Sequence, residues 1–471
     1  SRGLGDVYKR QSQGEGHRDA VVFRGVRSTA DFFQDGNRDD VQYYRSLYNV
    51  EQVEILRGPN ALLFGRGGTG GIINRVSKKA TLGETFGSVD FGLDSFGAND
   101  IAVDYNTGTS GDSAVRIMLH SDSLENHRDH YDGTRLGFNP TIKIKMNEST
   151  TLDLSYEYAD HERYIDRGIP TENGEPVERF EKITFGGDDN LTTLKANILR
   201  ATLSKVFSDT RKGNLSIVSS DFEKMYKNYY ASGYTAGATV VTMDGYLDPT
   251  ERENTIISGN IVNEVGNHTL LVGVELIDTT NENFRYNTFW STTSDDNEVF
   301  NITRPMDFSV NSAGVATSND YTADLKSKTK SDIDVTSFFI QDQIDVSDKL
   351  KLMIGGRHDS FDITVTDVKA GSAAARKDTK FSPRAGVIFK PQDNISWYYS
   401  YSESFLPRSG EQYKKLTASA AALDPDVYES SEVGVKWAIS DDLSFTAAYF
   451  DSEQTIATRD DTGESAEIVG L

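Results

Sequence analysis

From about residue 85 the chain follows a period of two. Val89, Phe91 and Leu93 share one parity, as do Ile101, Val103 and Tyr105, then Val115, Ile117 and Leu119. The same alternation returns at Leu152, Leu154, Tyr156, Tyr158, at Leu270, Val272, Val274, Leu276, and at Leu350, Leu352, Ile354. Trp397, Tyr399, Tyr401 and Val433, Val435, Trp437 continue it. Such a period places each set on one face of a strand. The other parity carries Asp, Ser, Lys, Arg, Glu and Gly, which predicts an apolar exterior around a wet interior. Roughly fifteen such strands fit between residues 85 and 453, and a further one starts near Ala466. Their connections alternate in length. Short turns such as Asn147-Glu148-Ser149 and Val346-Ser347-Asp348-Lys349 alternate with long polar excursions near 160–195, 227–252 and 281–331. Short turns on one rim and long loops on the other predict an antiparallel transmembrane β-barrel. A soluble sandwich or propeller also alternates, but rarely needs loops this long.

Residues 12–80 lack this alternation. Gly clusters and short mixed apolar runs there predict a separate small α+β unit, and residues 81–471 the barrel. Residues 1–11 fit neither region and are expected to be a non-native junction. Composition adjusts the picture in three places. No apolar run reaches the 18 residues of a membrane-spanning helix, which leaves a barrel untouched. A formal net charge of −23 makes nucleic acid an unfavourable partner. The chain has no cysteine, so disulfides, thiolate metal sites and cysteine nucleophiles are excluded. His127 and His130 stand i, i+3 in a polar loop with no third metal ligand nearby, and His161-Glu162 lacks the second histidine of a zinc-protease helix. No metal site or catalytic constellation is expected, and the chain does not read as an enzyme.

Residues 51–76 read EQVEILRGPNALLFGRGGTGGIINRV, with five glycines between Gly65 and Gly71. Gly65, Gly67 and Gly70 match the dinucleotide-binding spacing. The β-prone Ile72-Ile73-Asn74-Arg75-Val76 follows where a helix would have to present its N-terminus, so that reading fails. The segment instead resembles the plug domain of TonB-dependent outer-membrane receptors. Arg57-Gly58-Pro59, the Phe-Gly element ending at Gly65, and Gly70-Gly71-Ile72-Ile73-Asn74 carry the likeness, as do Val22-Phe23-Arg24-Gly25-Val26 and Gln34-Asp35-Gly36 upstream. Phe381-Ser382-Pro383-Arg384-Ala385-Gly386, Ser400-Tyr401-Ser402-Glu403-Ser404-Phe405 and Glu432-Val433-Gly434-Val435-Lys436 resemble barrel strands of the siderophore-receptor branch.

The resemblance implies a twenty-two-stranded barrel with the plug inside its lumen. Residues 12–80 would then be the C-terminal half of a plug, and the chain an internal fragment lacking its energy-coupling segment and closing strands. It also implies a plug–barrel ion cluster of Arg24, Arg57 and Glu432, since guanidinium forks hold carboxylates firmly yet separably. Tyr44 falls at the family's ligand-contacting tyrosine. Tyr43, Arg45, Arg38, Arg27, Ser28 and Thr29 would share the plug apex, where tyrosine faces and arginines suit a bulky anionic complex. The implied function is energy-coupled uptake of ferric siderophores, closest to the catecholate branch, with iron carried in the siderophore and no cofactor resident in the protein. The partners would be the ferric siderophore, a TonB-type coupling protein and outer-membrane lipid. Cobalamin, haem or glycan import on the same scaffold stays open, as does a passive porin or adhesin, although a porin has no use for the motifs of residues 20–76.

Overall fold

A computed structural model describes residues 18–23, 26–29, 31–57, 70–128, 130–409, 412–416, 424–460 and 463–470. The plug strands come first. β1 (Val21–Phe23) pairs antiparallel with β2 (Val26–Ser28). β3 (Phe32–Gln34), β4 (Asn37–Arg38), β5 (Val50–Arg57) and β6 (Gly71–Ser77) form a four-stranded sheet in the order β4-β3-β6-β5. No helix occurs among the described plug residues. The β3–β4 turn is Asp35-Gly36, both in the left-handed region at φ 51° and 80°, which glycine adopts freely and aspartate tolerates. Gly70 has another reason to be glycine, because a Cβ there would lie 2.4 Å from the Phe23 carbonyl oxygen.

The barrel begins with β7 (Thr85–Leu93), β8 (Asn99–Ser110), β9 (Ser113–Glu125), β10 (Asp132–Asn147) and β11 (Thr150–Tyr164). The hairpin β12 (Thr171–Glu172) and β13 (Glu175–Pro176) decorates the next connection. β14 (Leu191–Ser208), β15 (Arg211–Gly233), β16 (Val240–Val265) and β17 (His268–Asn287) follow, then the short β18 (Glu298–Asn301). β19 (Asp324–Ser347), β20 (Leu350–Asp367), β21 (Ser372–Gln392) and β22 (Ile395–Leu406) lead to β23 (Asp426–Ser440), β24 (Leu443–Asp460) and β25 (Gly463–Gly470). Antiparallel ladders run pair by pair from β7 to β25, and the strand order closes by bringing β25 beside β7.

Exposure follows the predicted parity. Val89, Phe91 and Leu93 are 67–71% exposed on the outer face, and Ile117, Leu119, Val272, Leu276, Ile354, Trp397 and Val433 also face outward. The lumen departs from the wet interior expected. Leu194, Ile198, Val218, Phe222, Ile256, Ile277, Ile333 and Phe361 point inward and pack with Val41 and Tyr43 of the plug. A lumen occupied by protein is a core at that height, so its inward residues turn apolar wherever the plug touches them.

The long excursions also differ from polar loops. Much of 227–252 is strand, since β15 runs to Gly233 and β16 starts at Val240. Beyond the lipid an outward apolar parity has no purpose, so the sequence signal fades while the hydrogen-bonded ladder continues through Lys227↔Leu247 and Tyr230↔Asp244. The excursions moreover carry a second core, in which Phe185, Tyr229, Trp290, Phe300 and Tyr321 are buried together.

One close approach sets plug against barrel. Gly137 of β10 lies under Tyr48, and a Cβ there would sit 2.5 Å from the ring, which stacks on His120 at a centroid distance of 5.4 Å. Gly137→Ala is expected to displace Tyr48 and lower stability by about 1–3 kcal/mol, the usual cost of overpacking. Thermal unfolding and protease sensitivity of the plug will report it. Gly386→Ala, which meets the flexible Met353 Cε at 3.2 Å, should behave as wild type in both assays.

Candidate functional site

The segment between β4 and β5 rises towards the long-loop rim without regular structure. Buried charge shapes it. Asp39 Oδ2 accepts from Arg45 Nε at 2.8 Å, from Arg75 Nη2 at 2.7 Å and from the Tyr43 hydroxyl at 2.8 Å. Arg45 also donates through Nη2 to the carbonyls of Asp39 and Val41, both at 2.8 Å. Its guanidinium lies over the rings of Phe32 and Tyr43 at 4.0 and 4.4 Å. Burial alone would raise the Asp39 carboxyl, but the two guanidiniums outweigh it and hold it below its ordinary value. Burial pushes the Tyr43 phenol up, and adjacent Asp39 pushes it further. Asn74 fastens the turn below, since its Oδ1 accepts from the Gly36 amide at 3.0 Å and its Nδ2 donates to Glu54 at 2.8 Å.

Charged contacts then tie the plug to the wall. Arg75 donates to Gln34 Oε1 at 2.9 Å, and Arg200 of β14 donates to the same oxygen at 2.7 Å while pairing with Glu157 of β11 at 2.9 Å. Asp40 pairs with Arg252 of β16 at 2.6 Å and accepts from the Tyr413 hydroxyl at 3.0 Å. Gln412 donates to the Asp40 carbonyl at 2.8 Å, so the connection between β22 and β23 reaches down to the plug. Lys224 of β15 is buried, and its ammonium donates to the Gln42 carbonyl at 2.9 Å. Lys414 on the inserted connection sits below its usual value: burial lowers it, Asp248 partly restores it, and Arg285, Arg18 and Arg252 lower it again.

Above this base lies a cleft lined by Tyr43, Tyr44, Arg135, His161, Arg163, Thr192, Leu194 and Lys224. Arg163 stacks on the Tyr44 ring at 4.3 Å. Arg135 is held by Asp122, with Nε 2.8 Å from Oδ2. His161 is buried, and its Nε2 has no hydrogen-bond partner among the described residues. The cleft therefore offers Tyr44 under its arginine, the Arg135 guanidinium, a buried lysine and an unsatisfied imidazole nitrogen. That set suits an anionic group with a planar part.

The structure sorts the residues singled out from the sequence. Tyr44 and Tyr43 line the cleft. Arg45 is spent inside the plug, and so are Ser28, whose Oγ accepts from the Asp31 amide at 3.1 Å, and Thr29, whose Oγ1 accepts from Gln42 at 2.8 Å. Arg38 lies lower, over the Phe33 ring at 4.8 Å and beside the plug–wall contacts of Gln34 and Arg200. The side chains of Arg27 and Arg57, and all of Arg24, Gly58, Pro59 and Gly65, lie outside the described residues. Glu432, the third member of the expected ion cluster, is buried and accepts from the Tyr398 hydroxyl at 2.5 Å. Gly71 has Leu56 O 2.7 Å from where a Cβ would sit. Arg135, His161, Arg163 and Lys224 escaped sequence reading. The available signal was inward parity next to a long connection, since His161 and Arg163 oppose the outward Tyr156 and Tyr158.

The family description "TonB dependent receptor-like, beta-barrel" matches residues 137–464, and "TonB-dependent Receptor Plug Domain" matches residues 2–72. The chain belongs to the TonB-dependent receptor family, whose members are receptors and transporters of the Gram-negative outer membrane rather than enzymes. It is 26% identical over 472 residues to the probable TonB-dependent siderophore receptor PiuA of Acinetobacter baumannii, covering 93% of this chain and 63% of the relative. It is 24% identical to the ferrichrome outer membrane transporter/phage receptor of Escherichia coli K12, covering 94% of this chain and 60% of the relative. The chain thus spans less than two thirds of the length of these relatives. The PiuA crystal structure superposes with a TM-score of 0.86 at 21% identity, covering 99% of this chain and 71% of PiuA. The closed form of the E. coli ferric-catecholate import receptor Fiu superposes with a TM-score of 0.80 at 18% identity, over 97% of this chain and 72% of Fiu.

Asp39→Asn would leave Arg45 and Arg75 without their common carboxylate. Breaking such a buried pair costs about 3–5 kcal/mol, so faster protease cleavage between β4 and β5 is expected at neutral pH. The pH sign follows from the lowered carboxyl. Its contribution is complete above the ordinary value of 3.8 and fades as pH falls through the lower folded value. Wild-type protection should thus persist down to about that ordinary value, and the variant should show no carboxyl-linked loss below it.

Proposed function

We propose that this chain forms the body of a receptor that captures ferric siderophores in the cleft above Tyr44 and passes them through the barrel by energy coupled from a TonB-type partner. The cleft carries this reading: Tyr44, stacked under Arg163, stands with Arg135 and buried Lys224 around a narrow cleft at the long-loop end of the plug. A ferric catecholate is the ligand class favoured. Its negative charge would meet the guanidiniums of Arg163 and Arg135, although the whole chain carries −23. The screening length is about 8 Å at physiological ionic strength, so near cations outweigh distant acids. The likeness to the siderophore receptor PiuA supports a siderophore and that to the ferric-catecholate receptor Fiu a catecholate, while the ferrichrome transporter marks the hydroxamate alternative. Iron would arrive and leave inside its chelate, without a metal ion resident in the protein.

Arg45 acts in this scheme by shaping the segment that carries Tyr44, not by touching ligand. Intrinsic-fluorescence quenching by ferric catecholates and ferric hydroxamates in parallel tests the assignment. Catecholates are expected to bind more tightly, and Tyr44→Ala and Arg163→Gln should each weaken them about tenfold, the equivalent of ~1.4 kcal/mol. Preference for hydroxamates, or quenching unchanged by both substitutions, would overturn the catecholate site.

A further inference from the structure

Near the short-turn rim, the outer face of the barrel carries a groove of about 440 Å³, within the range of about 300–1,000 Å³ typical of small-ligand sites. The ladders define its floor. One cross-strand row runs Lys205, Gly213, Ile261, Val272, and the next runs Leu203, Leu215, Gly259, Val274, Phe338. Every neighbour of the two glycines in these rows is large. Gly213 is buried beneath Phe207 and Ile261, whereas a Cβ at Gly259 meets nothing closer than 3.6 Å, so the missing side chain at Gly259 leaves the trough between the two rows. Its walls are exposed and apolar: Leu215, Ile261 and Phe338 are 47%, 45% and 59% accessible.

The mouth of the trough is cationic. Lys205 faces Gly213 directly, and its ammonium lies 5.4 Å from the Phe207 ring centre. Arg211, two residues before Gly213 and on the same face, donates through Nε to Asn263 at 3.1 Å. Neither cation has a carboxylate partner among the ion pairs of the described residues. Short turns mark the periplasmic rim of such barrels, where the adjoining leaflet presents phospholipid phosphates to exposed Lys and Arg. An apolar trough opening onto two unneutralised cations complements a molecule with an anionic head and a hydrocarbon tail.

We propose that this groove is a specific phospholipid site, holding an acyl chain over Gly259 with the phosphate at Lys205 and Arg211. It is separate from the cleft above the plug and does not depend on which siderophore binds there. A general annulus of lipid would cover every outward strand equally; this site holds its lipid in place through the indentation and the paired charges.

Gly259 gives a clean probe, because a Cβ there meets nothing closer than 3.6 Å and so adds bulk to the trough without backbone conflict. Purified protein in detergent is titrated with phosphatidylglycerol and the retained lipid is counted by native mass spectrometry, with thermal unfolding as the check on folding. Wild type should keep one phosphatidylglycerol under conditions that strip the rest. Gly259→Leu should lose it, and Lys205→Glu combined with Arg211→Glu should lower its retention several-fold. Should Gly259→Leu fail to fold, the charge-reversed protein decides alone. Retention at the wild-type level in either folded variant, or no lipid retained by wild type, overturns the proposal.

Discussion

The apex of the plug depends on one carboxylate. The segment from Asp39 to Asn49 lacks a ladder to fix its shape, yet it must hold Tyr43 and Tyr44 at the foot of a cleft. Asp39 makes this possible by accepting from Arg45, Arg75 and Tyr43 through a single oxygen. Two guanidiniums this close would repel each other if the carboxylate were absent, and a buried charge without a partner is among the costliest features a fold can carry. With Asp39 in place Arg45 donates to the carbonyls of Asp39 and Val41, and Arg75 reaches on to Gln34 and so to the barrel. One acid thereby orders a loop and joins it to the wall.

The same logic separates two kinds of contact in the lumen. Where Val41 and Tyr43 meet inward Leu, Ile, Val and Phe side chains, burial is apolar and insensitive to small shifts. Where Asp40 meets Arg252 and Tyr413, or Arg200 meets Gln34 and Glu157, the contact is directional and fails when an atom moves by an ångström or so. The plug is thus seated by a tolerant surface and registered by a few exacting ones. Asp40 binds both the barrel wall and the connection that reaches in from above, so that connection cannot shift without disturbing a plug contact.

Much of the fold was legible because a lipid-facing strand must alternate and a tight turn must use special residues. Outward positions such as Val89 and Ile354 could be read singly, and the strands from Thr85 to Asp460, with a last one at Gly463–Gly470, fall where alternation placed them. Alternation failed where its cause was missing: above the lipid, and in the lumen where a plug replaces water. The site was half legible. Tyr44 stands in a local motif, whereas Arg75 meets Asp39 across 36 residues, Arg200 meets Gln34 across 166, and Arg252 meets Asp40 across 212. No local pattern encodes such distances, and an arginine destined for a buried pair looks in sequence like one destined for ligand. Arg45 shows how the two are confused.

The length of the β15–β16 hairpin sets a distance. β16 has 26 residues, which at about 3.3 Å each extends some ~85 Å, against an apolar band of about 25 Å. Even with strong tilt, much of this ribbon stands clear of the lipid, stiffened along its length by backbone hydrogen bonds. The aromatic core of the long connections rides on it. A macromolecule approaching from outside therefore meets that cap first. The cap is the part of this protein that large molecules outside meet, while the carboxylates and arginines below remain private to whatever is small enough to descend.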